Sequence, residues 1–195
     1  MTQYNPVFRS PIAVSEPAQP VTRLGLSDLT GVLVTLIKGD AADLLQKEVS
    51  TVPAKPGDLV NVDGGLLARL SPHEFYLFGL SAQANLPTAA ELGAVFTQAG
   101  SFAHATDLTH GRAALKLTGP AAAEALSKIC GLDFHDSQFA DMTVKQTSAA
   151  KIKTLIARRD EAGRPTYHLH VNRPMGQYFW EIVWDAGQEF GVVVG

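Results

Sequence analysis

The chain states one pattern twice, and this repeat limits its possible folds more than any other feature. The first statement runs Asp28-Leu29-Thr30, an apolar run from Val32 to Ile37, then Gly39-Asp40-Ala41-Ala42-Asp43-Leu44-Leu45. The second begins 79 positions later with Asp107-Leu108-Thr109, followed by Arg112 to Leu117 and then Gly119-Pro120-Ala121-Ala122-Ala123-Glu124-Ala125-Leu126. Each signal precedes a β-type run, a glycine turn and an alanine-rich helix start, so one supersecondary unit is built twice and buries its apolar faces against its own copy.

Local signals agree on the element order in both statements. Asp40 suits an N-cap with Asp43 in the first turn, and Pro120 suits a first helical turn, where its missing N–H costs nothing. Leu126, Ile129 and Cys130 continue a stripe from Ala122, and Gly131 is placed as its left-handed C-terminal cap. Strand-like runs follow: Leu59–Val62, Leu66–Leu70 and Glu74–Phe78, then Met142–Gln146, Ile152–Ala157 and Tyr167–Val171. Gly64-Gly65, Ser71-Pro72-His73 and Glu161-Ala162-Gly163-Arg164 supply the turns. Thr88-Ala89-Ala90-Glu91 has capping-box spacing, and Met175, Phe179, Ile182, Val183, Ala186 and Phe190 form the stripe of a helix lying on a sheet. The expected fold is therefore α+β, with two intertwined, pseudo-repeated halves of mainly antiparallel sheet covered by helices. The halves span about 25–105 and 106–195. No glycine-rich loop opens a helix, so neither dinucleotide nor P-loop chemistry is supported.

Residues 1–24 read as an extended arm, because Pro6, Pro11, Pro17 and Pro20 deny it helix and ladder hydrogen bonds. Tyr4, Val7, Phe8 and Ile12 make it too apolar to be left in water, so it is expected to lie across its own domain or a partner subunit. Apolar residues at 46% and charged residues at 18% indicate a globular chain of 195 residues able to bury a core. No run reaches the roughly 20 apolar residues of a membrane span. Sixteen Lys and Arg against 19 Asp and Glu leave a net charge of −3 and no basic field for a phosphate backbone, so neither nucleic acid nor membrane is expected as a partner. The single cysteine and the absence of a leader pattern at Met1-Thr2-Gln3-Tyr4 make the cytoplasm the expected compartment.

The chemical constellations mostly have plain readings. His168 and His170 share one strand face, the arrangement of a zinc half-site; a third and fourth ligand are not evident, though His104 and His110, flanking Asp107, could supply them in space, and no metal is expected. Cys130 reads as a small buried apolar residue. Arg158-Arg159-Asp160 reads as a solvated hairpin end whose charges neutralise each other, in preference to an anion site. No Gly-x-Ser-x-Gly elbow supports a hydrolase.

Asp107-Leu108-Thr109-His110, Leu117-Thr118-Gly119-Pro120-Ala121-Ala122 and the closing Trp180–Gly191 stretch with Glu189-Phe190-Gly191 resemble the folate-binding aminomethyltransferase family, which includes the T-protein of the glycine cleavage system. The resemblance spans roughly residues 25–191. Within the family it is similar to the branch of sarcosine oxidase gamma subunits, through the arm at Tyr4-Asn5-Pro6-Val7 and the helix start from Arg173 to Trp180. Active family members carry a glycine-rich strand ending in paired aspartates. The corresponding stretch here is taken as Ala149–Ile156, with Lys153 and Thr154 where the acids would stand. A cation or hydroxyl cannot replace a carboxylate at an iminium-like centre. The Lys-Gly-Cys-Tyr signature of iron–sulfur repair relatives is also missing, since Cys130 lies between Ile129 and Gly131.

The resemblance therefore implies a non-catalytic accessory subunit with no catalytic, cofactor-binding or metal-binding residues of its own. The expected partners are the alpha, beta and delta subunits of a heterotetrameric sarcosine oxidase, which would hold FAD, FMN, NAD and tetrahydrofolate. The alternatives are an independent tetrahydrofolate-binding protein, with Tyr167, Trp180 and Trp184 stacking on the pterin, and a subunit of a related N-methyl amino acid dehydrogenase.

Overall fold

The computed structural model describes residues 8–195. The strands are β1 (Leu24–Asp28), β2 (Val34–Gly39), β3 (Leu59–Val62), β4 (Gly65–Ser71), β5 (Glu74–Gly79), β6 (Ala103–Asp107), β7 (Arg112–Thr118), β8 (Thr143–Ala149), β9 (Ile152–Arg158), β10 (Thr166–Asn172) and β11 (Val192–Val194). The helices are α1 (Ala42–Val49), α2 (Ala89–Gln98), α3 (Ala122–Ser127) and α4 (Gly176–Gly187). One sheet has the order β11-β1-β7-β10-β9-β8 and the other β3-β4-β5-β2-β6. All pairs are antiparallel except β1 with β11. Strand alternation sends apolar residues to both faces of each sheet, which gives three apolar layers. One joins the six-stranded sheet to α3 and α4 around Leu115, Tyr167 and Phe179; one joins the five-stranded sheet to α1 and α2 around Ile37, Phe75 and Phe96. Between the sheets lies a third layer around Val34, Phe78 and Leu155.

The repeat is real in three dimensions, and the halves exchange strands. β1 pairs with β7 of the second half, while β6, 79 positions after β1, pairs with β2 of the first. With β1 set against β6 and β2 against β7, the orders β1-β7-β10-β9-β8 and β6-β2-β5-β4-β3 correspond strand for strand. Each Asp-Leu-Thr signal is the clasp at the crossing. Asp28 accepts from the Thr30 N–H at 2.8 Å, and Asp107 from the Thr109 N–H at 2.8 Å. Thr30 Oγ1 then accepts from the Ala114 N–H of β7 at 3.1 Å, and Thr109 Oγ1 accepts from the Val34 N–H of β2 at 3.0 Å. The leucine N–H between them donates to the same strand, Leu29 to Ala114 O and Leu108 to Val34 O, both at 2.8 Å.

Three helix-end expectations are corrected. Asp40 caps nothing: its carboxylate lies 2.8 Å from His73 Nδ1, and α1 begins after Ala41, which is completely buried and has no side chain to cap the helix. Pro120 precedes the cap residue Ala121, because Gly119 adopts φ +129° where a Cβ would meet Arg23 O at 2.3 Å. Gly131 ends no helix; α3 stops at Ser127, and the next residues turn to meet β8, with Ile129 O accepting from the Ala150 N–H and Cys130 bridging to Ala149. The capping box at Thr88 and Glu91 is present as read.

Residues 9–23 run extended over the six-stranded sheet and α4. Ile12 is buried, Ala13 N–H donates to Gln177 Oε1 at 2.8 Å, and Gln19 N–H donates to Val194 O at 2.7 Å. The Arg173 guanidinium donates to Arg9 O and sits over the Phe8 ring. The arm thus lies across its own domain; Tyr4, Asn5, Pro6 and Val7 lie outside the described residues.

Candidate functional site

Where the central layer opens at one end, the sheets part around a cleft of about 160 Å³. Its apolar and aromatic walls come from Leu36 on β2, Tyr76 on β5 and Leu155 on β9, with His170 on β10 beside them. Lys38, Glu74, Arg112 and Lys153 also line it. Strand alternation explains the set: Leu36 and Lys38 share one face of β2, Glu74 and Tyr76 one face of β5, and both faces look toward the other sheet.

The buried end of the cleft is held by a polar pair. Tyr76 Oη lies 3.4 Å from His170 Nδ1, with the rings edge to face at 5.5 Å. His168 and His170 both pack on Phe78, at 5.8 and 4.7 Å between ring centroids. Burial pushes the His168 imidazole down to about 3, helped by the positive charges of Lys116 and Arg159. Burial likewise pushes His170 down to about 3, with His168 and Arg112 adding to the effect. The same burial drives the Tyr76 phenol well above the ordinary tyrosine range. These are neutral groups at neutral pH. His168 Nε2 is buried with no hydrogen-bond partner among the described residues.

The sequence-level candidates do not converge. His168 and His170 stand together as strand neighbours, but His104 is exposed on β6 and His110 packs beside Phe8. Among the described residues, no three His, Cys, Asp or Glu side chains are grouped to hold a metal ion. Tyr167 is fully buried in the helix-side layer against Phe134 and Phe139, while Trp180 and Trp184 stack on each other at 6.4 Å along α4. They do not form a pterin-stacking site. Cys130 is buried in the same helix-side layer.

Lys153 and Thr154 both line the cleft, Thr154 as a buried residue whose hydroxyl donates to Ile152 O at 3.0 Å. The glycine-rich strand entry in this fold is Gly64-Gly65 at the head of β4, the counterpart of the Ala150-Lys151 turn, and β4 carries no acid either. The cleft nevertheless holds a carboxylate that sequence reasoning missed. Glu74 is partly exposed and lies 3.9 Å from Lys38 Nζ. Its only sequence signal was its place as the first residue of a strand after the Ser71-Pro72-His73 turn.

Arg158 is also corrected. It is not at a solvated turn but 4% exposed at the end of β9. Its guanidinium donates to Asp160 at 2.9 and 3.0 Å, to Asp136 at 2.6 Å and to Phe139 O at 2.7 Å. Each of its three nitrogens donates internally, which leaves no two-pronged fork for an outside anion.

Residues 3–195 match the family model described as the GCVT N-terminal domain. A curated relative, sarcosine oxidase subunit gamma from Corynebacterium sp. (strain U-96), is 35% identical over 111 residues, covering 56% of this chain and 52% of that one. The aligned stretch thus spans about half the length of the curated relative. Among solved structures, a chain of the heterotetrameric sarcosine oxidase from Corynebacterium sp. U-96 in complex with pyrrole 2-carboxylate has a TM-score of 0.76 at 22% identity, with 94% of this chain and 96% of that chain covered. The glycine cleavage system aminomethyltransferase T from Bartonella henselae has a TM-score of 0.68 at 18% identity, with 88% of this chain and 48% of that chain covered.

Proposed function

This chain belongs to the GCVT N-terminal domain family, and from that premise we propose that it is a non-catalytic accessory subunit, of the gamma type, in a cytoplasmic complex resembling sarcosine oxidase. The complex would oxidatively demethylate sarcosine to glycine, with peroxide formed and the one-carbon unit released as formaldehyde or passed to tetrahydrofolate. Its flavins, NAD and folate would be held by the alpha, beta and delta subunits. The observation that carries the reading is the 35% identity to a relative named as a sarcosine oxidase gamma subunit. The fold supports it by extent: it matches a sarcosine oxidase chain almost end to end but covers only 48% of the aminomethyltransferase.

The non-catalytic part of the proposal rests on charge. Transfer of a one-carbon unit passes through a cationic, iminium-like centre, which a carboxylate stabilises and neighbouring cations oppose. Here Lys38, Arg112 and Lys153 face a single carboxylate, Glu74, already paired with Lys38. Tyr167, Trp180 and Trp184, the aromatics considered for stacking on a pterin, do not line the cleft.

Co-expression with the partner subunits tests both parts. The expected result is a stable complex that oxidises sarcosine, with turnover unchanged within about twofold in Glu74→Gln. A chain that joins no partner overturns the subunit reading. A turnover loss above tenfold in Glu74→Gln with intact assembly overturns the non-catalytic one. Saturable micromolar binding of a reduced folate by the lone chain, measured by calorimetry, would favour the independent folate-binding alternative.

A further inference from the structure

The two sheets have four edge strands, and three are closed by backbone from outside their own ladder. Along β11, Val194 O accepts from Gln19 of the arm. At β8, Cys130 bridges to Ala149, and Val144 N–H donates to Gly57 O. At β3, Leu59 N–H donates to Met142 O. β6 is the exception: α2 packs against it, but among the described residues no backbone hydrogen bond from outside the sheet is made to its outer side. Leu108 N–H donates to Val34 O on β2, so by strand alternation the N–H and C=O groups of Ala103, Ala105 and Asp107 point the other way. An edge of this kind usually carries a lysine, a proline or a bulge. Its sequence, Ala-His-Ala-Thr-Asp, has neither lysine nor proline, its pairing with β2 runs in unbroken register, and it is preceded by Phe102, which is 95% exposed.

The molecule itself shows what covers such an edge. β6 is the twofold counterpart of β1, and β1 is covered by β11, a parallel strand of three valines in register Leu24 with Val192 through Leu26 with Val194. Under that strand Leu24 and Leu26 are completely buried; their counterparts Ala103 and Ala105 are small and only half-buried. The first half has no strand equivalent to β11, since α2 leads directly into β6.

We infer that the outer edge of β6 is a strand-addition site, taking an extended, β-branched segment of a partner subunit parallel to Ala103–Asp107, with Phe102 packed against that segment. Backbone hydrogen bonds supply most of the affinity in such a joint and the alternating side chains supply its specificity. The inference rests on the subunit reading and names the surface that would carry it.

Hydrogen exchange and one proline variant test it. In the wild-type complex the amides of Ala103, Ala105 and Asp107 are expected to exchange at least tenfold more slowly than in the lone chain. Ala105→Pro removes the central outward N–H while leaving the β2 ladder intact, and is expected to cut complex recovery at least tenfold with an unchanged far-UV spectrum. Equal exchange in complex and lone chain overturns the inference even if Ala105→Pro fails to fold. Protection in the lone chain at every concentration, or only as it dimerises, also overturns it, placing this chain or a second copy on the edge. Wild-type assembly with Ala105→Pro joining equally well sinks the edge alone, whereas a wild type that joins no partner sinks the subunit reading and this inference together.

Discussion

Two imidazoles two residues apart on β10 look, as sequence, like half of a metal site; in the fold they are uncharged filling between two sheets. Folding strips them of water with Phe78 as their common neighbour, and Lys116, Arg159 and Arg112 oppose any added charge. Both stay neutral in the native state down to about pH 3, whereas an unfolded histidine takes its proton near pH 6.5. Between those values the unfolded chain binds more protons, so stability is full above about pH 6.5 and falls as pH drops, by up to about 1.4 kcal/mol per pH unit for each histidine. Thermal melts from pH 7.5 to 4.5 should show this decline, and His168→Phe should make it shallower. Because His168 Nε2 has no partner to lose, the same variant should cost less than about 1 kcal/mol at pH 7.5. The strand placement of both residues could be read from the sequence, but their burial on a second face could not. Alternating polar residues suggest a solvated face, and only the second sheet turns that face inward. Arg158 was misread for the same reason: its partners Asp136 and Phe139 lie 22 and 19 residues away.

At the level of elements, the Asp-Leu-Thr signals are read best as joints. A local Asx turn costs nothing tertiary, yet in each copy the threonine hydroxyl and the leucine N–H together fasten the turn to a strand of the opposite half. Thr30→Val and Thr109→Val keep the shape and leave a strand N–H without its acceptor, which should cost about 1–2 kcal/mol each. Urea titration of both single variants should give similar losses, because the two sites are twofold counterparts. Unequal losses would show that the joints do not carry equivalent loads. Five of the six strand-like runs that follow the helix starts match strands of the fold to within a residue at each end, and Met142–Gln146 stops three residues short of the end of β8, since alternation and turn residues are local information. Helix starts and stops were less legible. Ala41, Ala121 and Ser127 mark ends set by burial or by pairing with β8, and no capping residue announces them.

For the whole molecule, the exchange of β1 and β6 means that neither half owns a complete sheet. Residues 1–101 and 102–195 expressed apart each lack a strand that the other carries, the edge strand β6 for the first and the inner strand β1, which joins β11 to β7, for the second. Each fragment alone should therefore give no cooperative thermal transition, while an equimolar mixture should recover one together with the native Trp180 and Trp184 fluorescence. A fragment that melts cooperatively by itself would contradict this. The repeat could be seen in the sequence because its signals are short and local. The exchange could not, because two halves side by side and two halves interlocked use the same order of strands and helices.

The exchange also imposes a timetable on synthesis. β1 is made well before its neighbours, since β7 is complete only at residue 118 and β11 only at residue 194. Until β7 emerges, Leu24 and Leu26 have no strand on either side, and one side stays bare until β11 follows, so the nascent polypeptide must shelter them against its own disordered length or a chaperone. Loss of Val192–Val194 would therefore be felt first at Leu24 and Leu26, more than 160 residues earlier in the chain.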